Sequence, residues 1–315
     1  EFRPMLLPDT PPETLHLEAL VQLANDALAS RESLHVNLSQ PPEALATILR
    51  IGTSAGGARA KAVIAWNAST QEIRSGQLDV PDGFEHWLLK FDGMGSDNEL
   101  GSGTDYGRIE YAYSLMAKKA GIEMSDCRLL EENGRAHFMT KRFDRASGNV
   151  RHHIQTLCAM NHLDYKKKDT NSYEQLFVTM DKLSLPYEQK EEAYRRMVFN
   201  VVGKNCDDHT KNISFRVRQG HSWELAPAYD ISFAHNPNGQ WTHQHLMSIN
   251  GRFKDFSRAD LLELANRFGI GSAKNVIDEV VTSITSWSSF AAQAGVPKPV
   301  ADTIGSFHLL ELGKV

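Results

Sequence analysis

Two short stretches carry residue types that could hold and move a phosphoryl group. NCDDHTKN, residues 205–212, packs two adjacent acids, a histidine, a lysine and a bracketing asparagine into eight positions. Asp207 and Asn212 stand five apart, and Asp230 follows in PAYDIS beyond two apolar-alternating runs. Phosphoryl transfer needs a carboxylate to orient and deprotonate an acceptor hydroxyl, and hard oxygen ligands to keep Mg²⁺ on the phosphates. In that chemistry Asp207 is the base, Asn212 and Asp230 are the metal ligands, and Lys211 neutralises charge on the group in transfer. Asp208 competes with Asp207 for the base, but the spacing to Asn212 favours Asp207 and leaves Asp208 as polar filling. Asp, Asn and Thr also crowd such junctions because they make local turns, so the loop alone does not decide.

The order base, asparagine five residues on, hairpin, second metal aspartate is that of protein kinases. A kinase also needs a lysine reaching the α- and β-phosphates, fixed by a helix glutamate. Lys90 lies on a strand among Leu88, Leu89 and Phe91, where an unpaired ammonium would be costly. Glu110 lies twenty residues later on the helix that follows. A small-residue loop, GTSAGGARAK from Gly52 to Lys61, precedes both, where a phosphate-covering loop belongs. It is neither GxGxxG nor a Walker A loop, since Ala58 stands where the lysine must be.

The elements that must position these residues read as two lobes. Helical spacing runs over Pro12–Ser30, with a short proline-started helix over Pro42–Arg50. KAVIAW and QEIRSG form two strands around the NAST turn, and Phe84–Asp92 a third. Gly107–Ile122 is a helix closed by Gly121, on which Tyr111, Leu115 and Met116 face a core. Two runs meeting at Asn133-Gly134 give a hairpin. Later come helices over SYEQLFVTMDKL and from Pro186, and a hairpin turning at Gln219-Gly220 whose second arm is SWELAPAYDI. Three helical stretches after Phe256 finish the chain. The fold class is α+β and protein-kinase-like. A smaller antiparallel-sheet lobe over residues 1–143 is followed by a larger, mostly helical lobe over 144–315, with ATP and Mg²⁺ between them.

Composition narrows the options. The 315 residues are 41% hydrophobic and 23% charged with net charge -5, an ordinary soluble balance. A sequence pI near 6.2 argues against nucleic-acid binding by bulk charge. Cys127, Cys158 and Cys206 form no CxxC pair and read as reduced thiols of a cytoplasmic protein. No apolar run reaches the roughly 20 residues of a membrane span. The start at Glu1, with no Met before Met5, reads as a fragment or a cloning scar.

GTSAGGARAKAVI, KRFDR, FNVVGKNCDDHTKNISF and LAPAYDIS resemble the four signatures of the HipA family, serine/threonine kinases that act as toxins in bacterial toxin–antitoxin pairs. The resemblance runs from about residue 50 to the C-terminus. It implies Asp207 as catalytic base, Asn212 and Asp230 on the metal, and Lys90 on ATP. The hinge meeting adenine would be Met139, Thr140 and Lys141. Ser54, Ala55, Gly56 and Gly57 would cover the phosphates, and His209, bracing the loop, joins the ATP contacts. Family members autophosphorylate a serine in the glycine-rich loop, which matches Ser54 with Thr53 as a second site. Such a phosphate adds ~2 negative charges to a site built for ATP and would switch it off. The resemblance further implies an antitoxin partner and a protein substrate, for which family members use aminoacyl-tRNA synthetases. The usual N-terminal subdomain is expected to be absent, so the chain reads as a short form or fragment. Lys141 departs from a hinge position that is often acidic in relatives.

Two other readings stay open. The Asp, His and Asn pattern also fits phosphatidylinositol-kinase-like or small-molecule kinases, although no basic amphipathic stretch suggests a membrane surface. A pseudokinase or regulatory binding module is the other. His235, His243 and His245 read as loop histidines with local hydrogen bonds rather than a metal site, and His152 and His153 as loop residues.

Overall fold

The structure, a computed structural model, describes residue 21 and residues 61–77, 79–92, 105–147 and 149–313. The helices expected over Pro12–Ser30, Val21 apart, and over Pro42–Arg50 lie outside the described residues, as does the small-residue loop up to Ala60. The described residues divide into two compact units.

The smaller unit holds residues up to 92, then 105–107 and 126–151. Its centre is a five-stranded antiparallel sheet in the order β2-β1-β3-β5-β4. The strands are β1 (Lys61–Asn67), β2 (Glu72–Ser75), β3 (Glu85–Lys90), β4 (Cys127–Glu132) and β5 (Arg135–Lys141). The expected turns are there. β4 and β5 join through Asn133 (φ 47°) and Gly134 (φ 80°), the pair of positive φ values that a two-residue hairpin needs to match strand twist. One face buries Ile64, Trp66, Trp87, Leu89 and Met139, with the Trp66 and Trp87 rings edge to face at 5.9 Å.

The larger unit holds residues 108–125 and 152 onward. Helix α1 (Tyr106–Lys119) contributes Ile109, Ala112, Tyr113 and Met116 to its core, and Gly121 (φ 82°) closes the helix. The division therefore differs from one cut at residue 143, because α1 buries its apolar face among the helices of the larger unit. Those are α2 (Leu157–Met160), α3 (Tyr173–Lys182), α4 (Tyr187–Val202), α5 (Arg258–Arg267), α6 (Ala273–Thr285), α7 (Trp287–Gln293) and α8 (Lys298–Ser306). α3 and α5 each begin with a capping box, at Ser172–Gln175 and Ser257–Asp260. Tyr113, Phe177, Tyr194 and Phe199 are fully buried between them.

Three features depart from expectation. His153 opens strand β6 (His153–Thr156), which pairs with β8 (Ser214–Val217) and, through it, β9 (Trp223–Leu225), while the short β7 (Asn171–Ser172) pairs elsewhere, with Met247–Ser248. β9 stops at Leu225, short of PAYDI, because Pro227 cannot donate to a ladder. A further helix, α7, was hidden between two longer ones, with Trp287 and Ala291 as its buried residues. Beyond α8 the chain folds back: Leu309 N–H donates to the Val202 carbonyl at 3.0 Å. His308 is buried there, its Nε2 2.9 Å from the Tyr113 hydroxyl, which itself donates to the Gly203 carbonyl at 2.7 Å. Among the described residues no helix is long and apolar enough to cross a membrane.

Candidate active site

The stretch from Asn205 to Asn212 leaves α4 through a sharp turn. Gly203 caps the helix, and Lys204 adopts φ 56° to redirect the chain. Cys206 N–H then donates to the Ala234 carbonyl and Ala234 N–H to that of Lys204, at 3.0 and 3.1 Å, a short parallel bridge that clamps the loop's entry. The exit is held by backbone bonds from Leu157 N–H to the Ile213 carbonyl and from Cys158 N–H to the Thr210 carbonyl.

Inside the loop, Asn212 does the closing. Its backbone N–H donates to the His209 carbonyl and its side-chain Nδ2 to the Asp207 carbonyl, both at 2.8 Å. That second bond fixes the amide's orientation and leaves Oδ1, a hard oxygen, on the other side. The Asp207 side chain is 50% exposed, with His209 Nε2 3.7 Å from its Oδ1. Tyr165 braces the loop, its ring 5.5 Å from the His209 ring and 4.4 Å from Lys211 Nζ. Tyr229 donates to the Lys211 carbonyl at 2.7 Å and bonds Ser214 Oγ at 2.6 Å. Asp230 follows at φ 53°. Asn205, Asp208, Asn212, Tyr229 and Asp230 line one cavity of this unit. The loop thus ties Asn212 directly to Asp207, and Asp230 borders the same cavity as Asn212.

Asp208 is not filling. It is 3% exposed, and its Oδ2 accepts from the Tyr173 hydroxyl at 2.8 Å and bonds His245 Nδ1 at 2.9 Å. Its Oδ1 accepts from Leu246 N–H at 2.8 Å. His245 is likewise no locally bonded loop residue, since it is buried and its partner lies 37 positions away. Burial would lower its basicity, but the Asp208 carboxylate, and then Cys206, outweigh this and hold it up to about 10. Burial raises the Cys206 thiol, yet the His245 charge and the His235 hydrogen bond bring it down to about 7. His235 Nδ1 sits 3.1 Å from the Thr242 carbonyl and His243 Nδ1 3.0 Å from the Gly239 carbonyl, so these two keep bonds within their own loop. One signal could have found Asp208. Adjacent side chains on an extended segment face opposite ways, so a solvent-facing Asp207 implies an inward Asp208 that needs partners.

In the smaller unit Lys90 ends β3, 7% exposed, with its Nζ 5.7 Å from the Phe138 ring centroid. Two residues on, Asp92 is a position that pattern reasoning passed over. Its Oδ2 accepts from Asp105 N–H at 3.0 Å and its Oδ1 from Gly107 N–H at 3.4 Å, so it caps the start of α1. Its own N–H donates to His137 Nδ1 at 2.9 Å, which puts the ring proton on Nε2, 3.6 Å from the Glu132 carboxylate. Gly107 fits because a Cβ there would meet the Ala136 carbonyl oxygen at 1.9 Å. In the larger unit Glu110 is 3% exposed on α1.

Met139, Thr140 and Lys141 form the end of β5, between β3 and β4. The N–H groups of Lys141 and Arg142 already donate to the Asp126 and His86 carbonyls, and the Lys141 ammonium pairs with Glu85. Thr53, Ser54, Ala55, Gly56 and Gly57 lie outside the described residues.

The model of the HipA-like C-terminal domain matches residues 53–288. No curated protein matches the chain. Among solved structures, it is similar to a chain of the toxin–antitoxin complex of HipA, HipB and operator DNA from Shewanella oneidensis MR-1. The two are 18% identical over 98% of this chain and 72% of that one, with a TM-score of 0.67. It also matches the proinflammatory kinase CtkA of Helicobacter pylori at 14% identity, over 73% of this chain and 89% of that one, with a TM-score of 0.44. At 18% identity the first likeness establishes a shared α+β fold.

Proposed function

This chain belongs to the HipA-like C-terminal domain family, and on that footing we propose that it is an ATP-dependent serine/threonine protein kinase, the toxin of a toxin–antitoxin pair. The observation that carries the reading is the bond from Asn212 Nδ2 to the Asp207 carbonyl, which ties the base and a metal-ligand oxygen into one rigid turn. The half-exposed Asp207 carboxylate can meet a substrate hydroxyl, and it accepts that proton as the hydroxyl oxygen bonds to Pγ and the bond to the ADP oxygen breaks. Lys211, exposed on the same turn, offsets the charge of the transferring group.

The donor set fits Mg²⁺, which takes one or two protein oxygens besides phosphates and waters. Asn212 Oδ1 and the Asp230 carboxylate would hold it, and bound there it would draw charge from the phosphate oxygens. Lys90 would reach the α- and β-phosphates with Glu110 as its partner. The Met139–Lys141 segment, at the end of β5, would meet adenine through its backbone. Ser54, with Thr53 as a second site, would be the autophosphorylated position. A separate antitoxin and a cellular protein substrate, an aminoacyl-tRNA synthetase among the candidates, complete the reading.

Intact-mass spectrometry before and after Mg²⁺-ATP, beside Asp207→Ala, tests it. One added phosphate on Ser54, absent from the variant, is the expected result. No phosphate and no nucleotide binding in the unmodified chain would overturn it.

A further inference from the structure

Building on the kinase reading, we infer that Asp208 is the positioning residue of the catalytic loop, holding Asp207 from beneath and, through Tyr173, Asn200 and Asn205, tying that loop to Asp230. The two adjacent carboxylates are used in opposite ways. The Asp207 side chain is 50% exposed, whereas that of Asp208 is 1% exposed and takes three hydrogen bonds. Those bonds come from α3, through Tyr173, and from the 245–246 segment, so the peptide that follows Asp207 is pinned on two sides.

The network then runs on with each orientation set by the one before. The Tyr173 hydroxyl spends its single proton on Asp208, so it must accept from its other neighbour, and Asn200 Nδ2 donates to it at 3.1 Å. That turns Asn200 Oδ1 toward Asn205, whose Nδ2 donates to it at 2.9 Å and reaches the Asp230 carbonyl at 3.5 Å. Asp208, Tyr173, Asn200 and Asn205 are each at most 9% exposed, in a setting where a satisfied polar chain rigidifies and a broken one is costly. The base and the second metal ligand are thereby held against one internal frame. Asp208 touches no reacting atom, so it acts through Asp207 and Asp230.

The test uses the full chain with Asp208→Asn and Tyr173→Phe beside the unmodified protein. ADP release, ATP affinity, the Mg²⁺ concentration at half-maximal rate and Tm are measured. Asp208→Asn is expected to lower kcat about 100-fold while ATP affinity holds, the cost of a base misplaced by a fraction of a bond length. Tyr173→Phe, which removes one hydroxyl, is expected to lower kcat or raise the Mg²⁺ requirement about 10-fold. Should Asp208→Asn fail to fold, the tyrosine variant decides alone. A kcat and Mg²⁺ requirement unchanged in the folded variants, with only Tm lowered, would reduce the network to a structural one and overturn the inference. An unmodified chain that neither binds ATP nor releases ADP would instead remove the kinase reading and this inference with it.

Discussion

Replacing His308 with glutamine is expected to make the protein less sensitive to acid. The imidazole is 8% exposed, and burial holds it down to about 4 against an ordinary 6.5. The Tyr113 hydroxyl gives its proton to the Gly203 carbonyl, so the ring's Nε2 must be the donor in that pair, a part glutamine Nε2 can take. The sign follows from which state binds the proton first. Below pH 6.5 the unfolded chain takes it up and the folded one does not, so stability is full above 6.5 and is lost as pH falls toward 4. The complete loss corresponds to about 3 kcal/mol, of which about 2 kcal/mol has gone by pH 5. Urea unfolding of both proteins at pH 8 and pH 5 isolates it, because the other groups titrating in that window are common to both. Deleting the ring, edge-on to Trp287 at 5.7 Å, also costs packing, but by the same amount at either pH. The glutamine variant should start less stable and lose about 2 kcal/mol less on acidification. Parallel losses in the two proteins would refute the assignment of a buried neutral imidazole. Leu309 N–H latches Val202 directly and His308 reaches Gly203 through Tyr113, both at the root of the Asn205–Asn212 loop, so on the proposed reading the acid loss should reach activity as well.

His245 governs the opposite flank. Its folded value near 10 lies above the ordinary 6.5, so its contribution is complete below 6.5 and fades as pH rises through 10; His245→Gln should flatten that alkaline decline in urea melts. Gly107→Ala should destabilise by about 3 kcal/mol, read by the same melts, since a Cβ at 1.9 Å from a backbone oxygen forces the strand or the helix start to move. Asn212→Asp keeps an oxygen ligand but loses the donor to the Asp207 carbonyl; ADP release should fall at least about 10-fold with the far-UV spectrum unchanged. A variant as fast as the parent would show that the amide tie is dispensable.

The parts of the candidate site legible in the sequence are those whose logic is local. Asp207 and Asn212 close one turn, so their spacing of five is itself the structure, and Asn133-Gly134 states its hairpin in two residues. The burial of Lys90 was readable from its apolar neighbours on a strand. What escaped depends on partners far along the chain. Asp208 and His245 are 37 residues apart with no period linking them. His153 becomes a strand residue only because Val217 lies opposite it. Asp92 gives no hint that it caps a helix 14 residues later. α1 reads as a neighbour of the strands because of its place in the sequence, yet Ile109, Tyr113 and Met116 commit it to the larger core.

On the proposed reading, in which Asp230 holds the metal, its positive φ sets the terms on which this chain could lose its chemistry. A left-handed backbone is tolerated by glycine, asparagine and aspartate and resisted by nearly everything else. Glutamate, which would keep the charge, pays for a conformation it disfavours and carries an extra methylene. Asparagine, one base change away, costs the backbone nothing and removes the anion. Drift toward a silent scaffold therefore has an open door at position 230, while drift toward an alternative acid has none. A descendant that kept this fold as a binding module would be expected to carry Asn or Gly there, beside an unaltered Tyr229.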